Sequence, residues 1–257
     1  MGLGRMACVN YMNAGRRGFA MPLFKLIDLF VDKTGRGGPE QMALDEALFE
    51  CAERPLMRLY RWSGQAASFG YSQSLEAVRE RFRSIPCVRR WTGGGIVEHG
   101  CDWTFSLIVP FGEPLAKARP KESYRLIHAH VAAALNQCGC SAQLADSDEG
   151  APAMACFSSP VLYDVIGSDH QKLCGGAQRR TRKGLLHQGS IQNVRLLEDF
   201  AFQLLSLMSA STRRFLPGRA ALDRAQELLV RKYGTSAWLG QVSQEPQECL
   251  ENAKISP

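Results

Sequence analysis

RRWTGGGIVEHGCDWTFS, running from Arg89 to Ser106, places a basic pair, a triple glycine and an alternating run in immediate succession. Three successive glycines stabilise neither a helix nor a strand interior, because each loses more backbone freedom on folding than any other residue. What they provide is access. Without Cβ atoms, Gly93, Gly94 and Gly95 let a ligand lie against the backbone and let successive N–H groups converge on an oxyanion or phosphate. If Cys87 to Trp91 is a strand, Arg89 and Arg90 point to opposite sides, so only one of them easily faces the loop. The alternative is a glycine-rich hairpin with no ligand. Beyond the glycines, Ile96, Glu98 and Gly100 alternate with Val97, His99 and Cys101, and Trp103 to Val109 continues as a strand.

Composition sets the frame. With 257 residues, 45% hydrophobic and 22% charged, the chain can bury a substantial core and leaves little room for long disordered tracts. A net charge of +6 suits an acidic partner or an acyl-phosphate ligand, whereas general nucleic-acid binding calls for denser basic clusters. The one dense cluster is Arg179, Arg180, Arg182 and Lys183, read either as a solvated turn or as functional. Nine scattered cysteines do not describe a secreted disulfide framework and fit a reducing cytoplasm better. His128 and His130, two apart on a helix, point to different faces, so no structural metal is expected. No apolar run reaches the roughly 20 residues that span a bilayer, and no membrane association is expected.

Residues 1–22 lack periodicity and are read as a disordered or mis-started extension, with the folded chain beginning near Met21. FKLIDLFV (Phe24 to Val31) reads as a strand, followed by a helix from about Glu40 whose Met42, Ala43, Ala47 and Leu48 share a face. LMRLYRW (Leu56 to Trp62) reads as a strand and SGQAASFGYSQ (Ser63 to Gln73) as another, interrupted by glycine, with Trp62 and Phe69 in the core. Gln73, an amide beside apolar strands, is expected to have a hydrogen-bonding task. Leu75 to Phe82 and Tyr124 to Cys138 read as helices, the second stopped by Gly139, and Asp146 to Pro152 is a polar loop. Three strands follow, at Val161 to Ile166, Lys172 to Arg179 and Gly184 to Gln192, then two amphipathic helices and a polar helical tail.

The motifs together resemble those of the lipoate-protein ligase and octanoyltransferase family, relatives of biotin protein ligases. RRWTGGGIVEH is similar to its R-R-x-T-G-G-G-x-V-x-H signature, Tyr60, Trp62, Ser68, Gly70 and Gln73 to its Y-x-W and S-x-G-x-x-Q elements, and QKLCGGAQRR with LLHQGSIQ to its second glycine-rich segment and H-G-[ST]-I. The resemblance implies an α/β (α+β) catalytic domain, a mixed sheet flanked by helices, spanning residues 23–257. Too little chain follows for a separate C-terminal accessory domain. Tyr60 to Gln73 would wall an acyl pocket, with Arg90, Gly93, Gly94, Gly95, His99, Gln73, Gly175, Gly176, Ala177 and His187 as substrate-binding candidates. His187 precedes Gln188 where the family often has histidine directly before glycine, so its side chain is expected to face differently.

Lys172 and Cys156 are the catalytic candidates. An ammonium held between strands near a glycine loop can stabilise the oxyanion formed when an acyl carbonyl is attacked; the alternative is a solvated surface charge. Cys156 occupies the place where one branch of octanoyltransferases carries its nucleophile, before a Tyr-acid-aliphatic strand, here Tyr163, Asp164 and Val165. A thiolate can take an acyl group from one thioester and pass it to an amine; the alternative is a small buried hydrophobe. Cys174 and Cys101 are read as packing residues. The function implied is transfer of an octanoyl or lipoyl group to the lysine of a lipoyl domain, in a 2-oxoacid dehydrogenase complex or the glycine cleavage H protein. No tightly bound cofactor is implied. The donor would be acyl carrier protein for a transferase, or ATP with magnesium for a ligase acting through an acyl-adenylate. A non-catalytic binder of lipoyl domains is the alternative from another class.

Overall fold

Alternating apolar residues along five longer strands build a sheet whose two faces are covered by different helices. The structure is a computed structural model and describes residues 21–147, 160–196 and 200–241. In chain order its elements are β1 (Ile27–Arg36), α1 (Gly38–Cys51), β2 (Leu56–Trp62), β3 (Ala66–Phe69), α2 (Leu75–Arg81), β4 (Cys87–Arg89), β5 (Ile96–His99), β6 (Trp103–Pro110), α3 (Pro114–Lys117), α4 (Pro120–Gln137), β7 (Ala142–Leu144), β8 (Val165–Gly167), β9 (Lys172–Thr181), β10 (Gly184–Ile191), α5 (Phe200–Met208), β11 (Thr212–Arg214), α6 (Arg219–Leu228), a π-helical turn (Leu229–Tyr233) and α7 (Ser236–Leu239).

The large sheet runs β11-β1-β2-β6-β10-β9-β8-β7, and the small one β4-β3-β5. β1 is parallel to both neighbours and the rest of the large sheet is antiparallel, so the expected mixed sheet is present. On one face Leu29, Leu59, Leu107, Leu185 and Ile191 pack with Ile127, Val131 and Leu135 of α4 and Leu204 and Met208 of α5. On the other, Phe30, Leu56, Ile108 and Leu186 meet Leu44 and Leu48 of α1 and Ala221 of α6. The small sheet lies beside α1 on this second face, sharing Trp62, Ala66 and Val88 with Met42 and Ala47.

Several boundaries differ from the sequence expectation for identifiable reasons. The run after the triple glycine is two strands: β5 leaves the small sheet at His99, Gly100 takes a φ of 153°, and β6 starts in the large sheet at Trp103. β8 begins only at Val165, because Tyr163 adopts a positive φ of 71° and Asp164 closes a turn onto Val161. α1 is buried over most of its circumference, polar Gln41, Asp45 and Glu46 included, so it carries more than an apolar stripe. The three-residue β7 and β11 carry too little pattern to announce themselves. Residues 1–20, most of the 146–152 loop and the tail beyond 241 lie outside the described residues.

Candidate active site

Strand alternation settles which arginine serves the glycine loop. Arg90 Nη2 donates to the carbonyls of Gly93 at 3.1 Å and Gly95 at 2.9 Å, and its Nη1 to Ser68 Oγ at 2.7 Å. Arg89 points the other way, donating to the carbonyls of Tyr71, Gln73, Trp238 and Leu239 and thereby tying α7 to the small sheet. Gly94 has a φ of 87°, a left-handed conformation that favours glycine. A Cβ on Gly70 would overlap the Gly94 carbonyl, so that glycine serves the approach of β3 to the loop. Among the described residues nothing lies within 4 Å of a Cβ added to Gly93, so its outer side is clear of them.

The loop is tied to the large sheet on one face. Thr92 Oγ1 donates to Gln188 Oε1 at 2.8 Å, and Gln188 Nε2 donates to Asp45 Oδ2 at 2.7 Å. Asp45 also accepts from Ser106, from Tyr60 at 3.1 Å and from Arg58 at 2.6 Å, and Arg58, fully buried, pairs with Asp32 as well at 2.8 Å. Nothing in the sequence spacing announces this network, because its members in α1 lie among the apolar residues that define the helix. Tyr60 and Trp62 are members of such networks: Tyr60 bonds Asp45, and Trp62 donates to Thr104 and stacks on His99 at 4.0 Å. His99 sits between Ser68 and Asp102, 2.6 Å and 2.7 Å away. Burial lowers its pKa against the pull of Asp102.

The second glycine segment meets the same face by register. In the β9–β10 ladder Gly175 is opposite Ser190 and Ala177 opposite Gln188, and residues directly opposite share a face. Ser190 donates to Asp102 at 2.7 Å, so Gly175 and Ala177 look toward the elements that carry the glycine loop. Lys172 folds over Gly175: a Cβ there would overlap its Cε and Nζ. Lys172 is no solvated surface lysine. It is 6% exposed, and its Nζ lies 2.6 Å from Asp164 Oδ2. That oxygen also accepts the Val161 N–H at 2.8 Å, while Oδ1 accepts from Tyr124 at 2.6 Å. The Tyr124 hydroxyl in turn meets the N–H and carbonyl of Gly176, on the stretch of β9 beyond its pairing with short β8.

Other candidates take different places. His187 faces α4, away from the glycine loop, packed on Phe105, Tyr124 and His128; burial holds its pKa well below the ordinary value. The missing Cβ of Gly176 makes room for the His187 ring, and that of Gly175 for Lys172, so both glycines admit the protein's own side chains where a ligand was expected. Gln73 contributes its carbonyl to Arg89, and its side chain is half-exposed. Cys174 is buried, with its thiol pKa pushed up by desolvation, whereas Cys101 is exposed in a turn rather than packed. Cys156 lies outside the described residues. The basic cluster is split by strand alternation: Arg180 bonds the Ala116 carbonyl and Ser123, and Arg179 lies over Trp91 and Tyr71.

Residues 38–206 match the family model of the lipoyl protein ligase A/B catalytic domain. The chain belongs to this family. It is 33% identical over 198 residues, 71% of each chain, to octanoyltransferase LipM of Moorella thermoacetica. In fold it is similar to a bi-partite lipoate protein ligase from Thermoplasma acidophilum, described with its E2 lipoyl domain, at a TM-score of 0.68 and 19% identity, covering 88% of this chain and 100% of that one. It is also similar to a lipoate-protein ligase A bound with ATP, at a TM-score of 0.67 and 20% identity, covering 82% and 97%. The lipoyl protein ligase A/B family is one of transferases and ligases, and the chain is an enzyme of that kind. Among the described residues no helix is long and apolar enough to cross a membrane.

Proposed function

We propose that this enzyme transfers an octanoyl group from a carrier-protein thioester to the lysine of a lipoyl domain through a thioester on Cys156. The observation that supports this most is the seat of Lys172, buried on Asp164 and folded over Gly175 on the face to which the Gly93–Gly95 loop is tied. Relatives named octanoyltransferases favour the acyl donor, and a solved neighbour described with its E2 lipoyl domain favours the acceptor. The described chain resumes at Pro160, so the tether from Cys156 spans at most about 14 Å. Val161, next along, is bonded to the carboxylate that holds Lys172.

In this mechanism the Cys156 thiolate attacks the donor carbonyl, and the Lys172 ammonium stabilises the resulting oxyanion. Collapse expels the carrier thiolate, which takes up a proton. The neutral amine of the acceptor lysine then attacks the Cys156 thioester, loses a proton, and expels the cysteine thiolate as the amide forms. Arg90 and the glycine loop hold the acyl group during both attacks. Incubation with octanoyl carrier protein and apo lipoyl domain, without ATP, is expected to modify the domain. Modification only with free acid, ATP and magnesium would make the enzyme a ligase, and binding of the domain without modification under either condition would make it a binder.

A further inference from the structure

Ser68, His99 and Asp102 stand in the order of a hydrolytic triad, yet the Ser68 hydroxyl is fully buried. The three residues are 0%, 5% and 5% exposed. A hydroxyl sealed in this way, with an arginine on its oxygen, is no nucleophile. Counting donors and acceptors gives its task.

Asp102 accepts at Oδ2 from His99, Thr104 and Ser190, and at Oδ1 from the Gly100 N–H at 3.2 Å. Burial opposes its ionisation, but the bonds from His99, Ser190 and Thr104 hold its pKa below the ordinary value. An ionised carboxylate only accepts, so His99 Nδ1 carries a ring hydrogen, and in the neutral ring that burial favours Nε2 is the acceptor. The Ser68 O–H fills Nε2 at 2.6 Å, leaving its oxygen lone pairs for Arg90, which only donates. The row of hydrogens therefore points one way, from Arg90 through Ser68 and His99 to Asp102. Trp62, stacked on His99 within 15° of parallel, fixes the ring plane.

We propose that Ser68, His99 and Asp102 are positioning residues that aim Arg90, and that Arg90 turns the Gly93 and Gly95 carbonyls inward to hold the glycine loop in its acyl-receiving shape. This rests on the loop being part of the acyl-transfer site.

Nitrogen NMR of the wild-type enzyme, with His99 assigned by difference against His99→Gln, is expected to show a neutral ring with the hydrogen on Nδ1. An Nε2-protonated ring or an imidazolium at neutral pH would overturn the proposal. Asp102→Asn reverses the row. The Gly100 N–H keeps the amide oxygen at the Oδ1 position, so the amide nitrogen faces His99 Nδ1 and the ring hydrogen moves to Nε2. Ser68 then receives two donors, and its own hydrogen has no acceptor. With the melting temperature held within a few degrees, this variant and Ser68→Ala are expected to lose about ten- to a hundredfold in kcat, with KM for the lipoyl domain little changed. Ser68→Cys, a weaker donor, should fall between them and wild type. Wild-type kcat in a folded Ser68→Ala protein would also overturn the proposal. If the variants do not fold, the wild-type tautomer decides. Failure of the wild type to transfer any acyl group would refute the proposed function and leave the tautomer measurement standing.

Discussion

Lys172 Nζ lies 2.6 Å from Asp164 Oδ2, the two side chains being 4% and 0% exposed. A buried ion pair contributes little net stability while intact, but removing one partner leaves an uncompensated charge, at a cost of about 3–5 kcal/mol. Asp164→Asn is therefore expected to lower the unfolding free energy by several kcal/mol in a denaturant titration. Lys172→Met removes the ammonium proposed to stabilise the oxyanion and is expected to cut kcat by about a hundred- to a thousandfold.

Gly93 and Gly175 make opposite predictions for the same substitution. Gly175→Ala collides with Lys172, so it should displace the ammonium and reduce kcat at least tenfold. Gly93→Ala meets nothing within 4 Å and should leave the melting temperature unchanged or slightly raised. If an acyl group lies against that open side, the new methyl raises KM for the donor. An unchanged KM would mean that the donor lies elsewhere.

Arg58 supports the floor beneath the loop. Arg58→Met leaves Asp32 and Asp45 buried without their shared cation, and a loss of about 3–5 kcal/mol is expected by chemical denaturation. Gln188 and Thr92 are linked to the same carboxylate, so transfer activity should fall by more than the loss of folded protein accounts for.

The buried histidines give stability a pH dependence. Desolvation lowers His128 from 6.5 to about 4, and lowers His187 and His99 as well. Between pH 6.5 and about 4 the unfolded chain binds protons that the folded chain refuses, so stability present above pH 6.5 is lost as pH falls through that window. For His128 alone the loss approaches about 3 kcal/mol. Melting temperatures measured from pH 7.5 to 4.5 should decline, and the His128→Gln variant should decline less steeply.

What the sequence disclosed followed from local rules. Alternation separated Arg89 from Arg90 and turned His187 away from the face carrying Gln188, because side chains on a strand change face at every residue. Glycine content announced close approach at 93–95 and 175–176, but it cannot tell whose atoms approach, and at 175 and 176 they belong to Lys172 and His187. The Asp45–Arg58–Asp32 network was illegible for a different reason. Its members are joined only when α1 packs over β1 and β2, and each alone looks like an ordinary surface charge. The motif around it marks Lys172, whereas nothing local in the sequence marks Asp164 as its partner.

The most direct test of the account is the mass of the enzyme after brief exposure to octanoyl carrier thioester without acceptor. A gain of one octanoyl group, mapped to Cys156, removed by adding apo lipoyl domain and absent in Cys156→Ala, is the predicted result. Full transfer activity in Cys156→Ala, or an octanoyl group mapped to another residue, would contradict it.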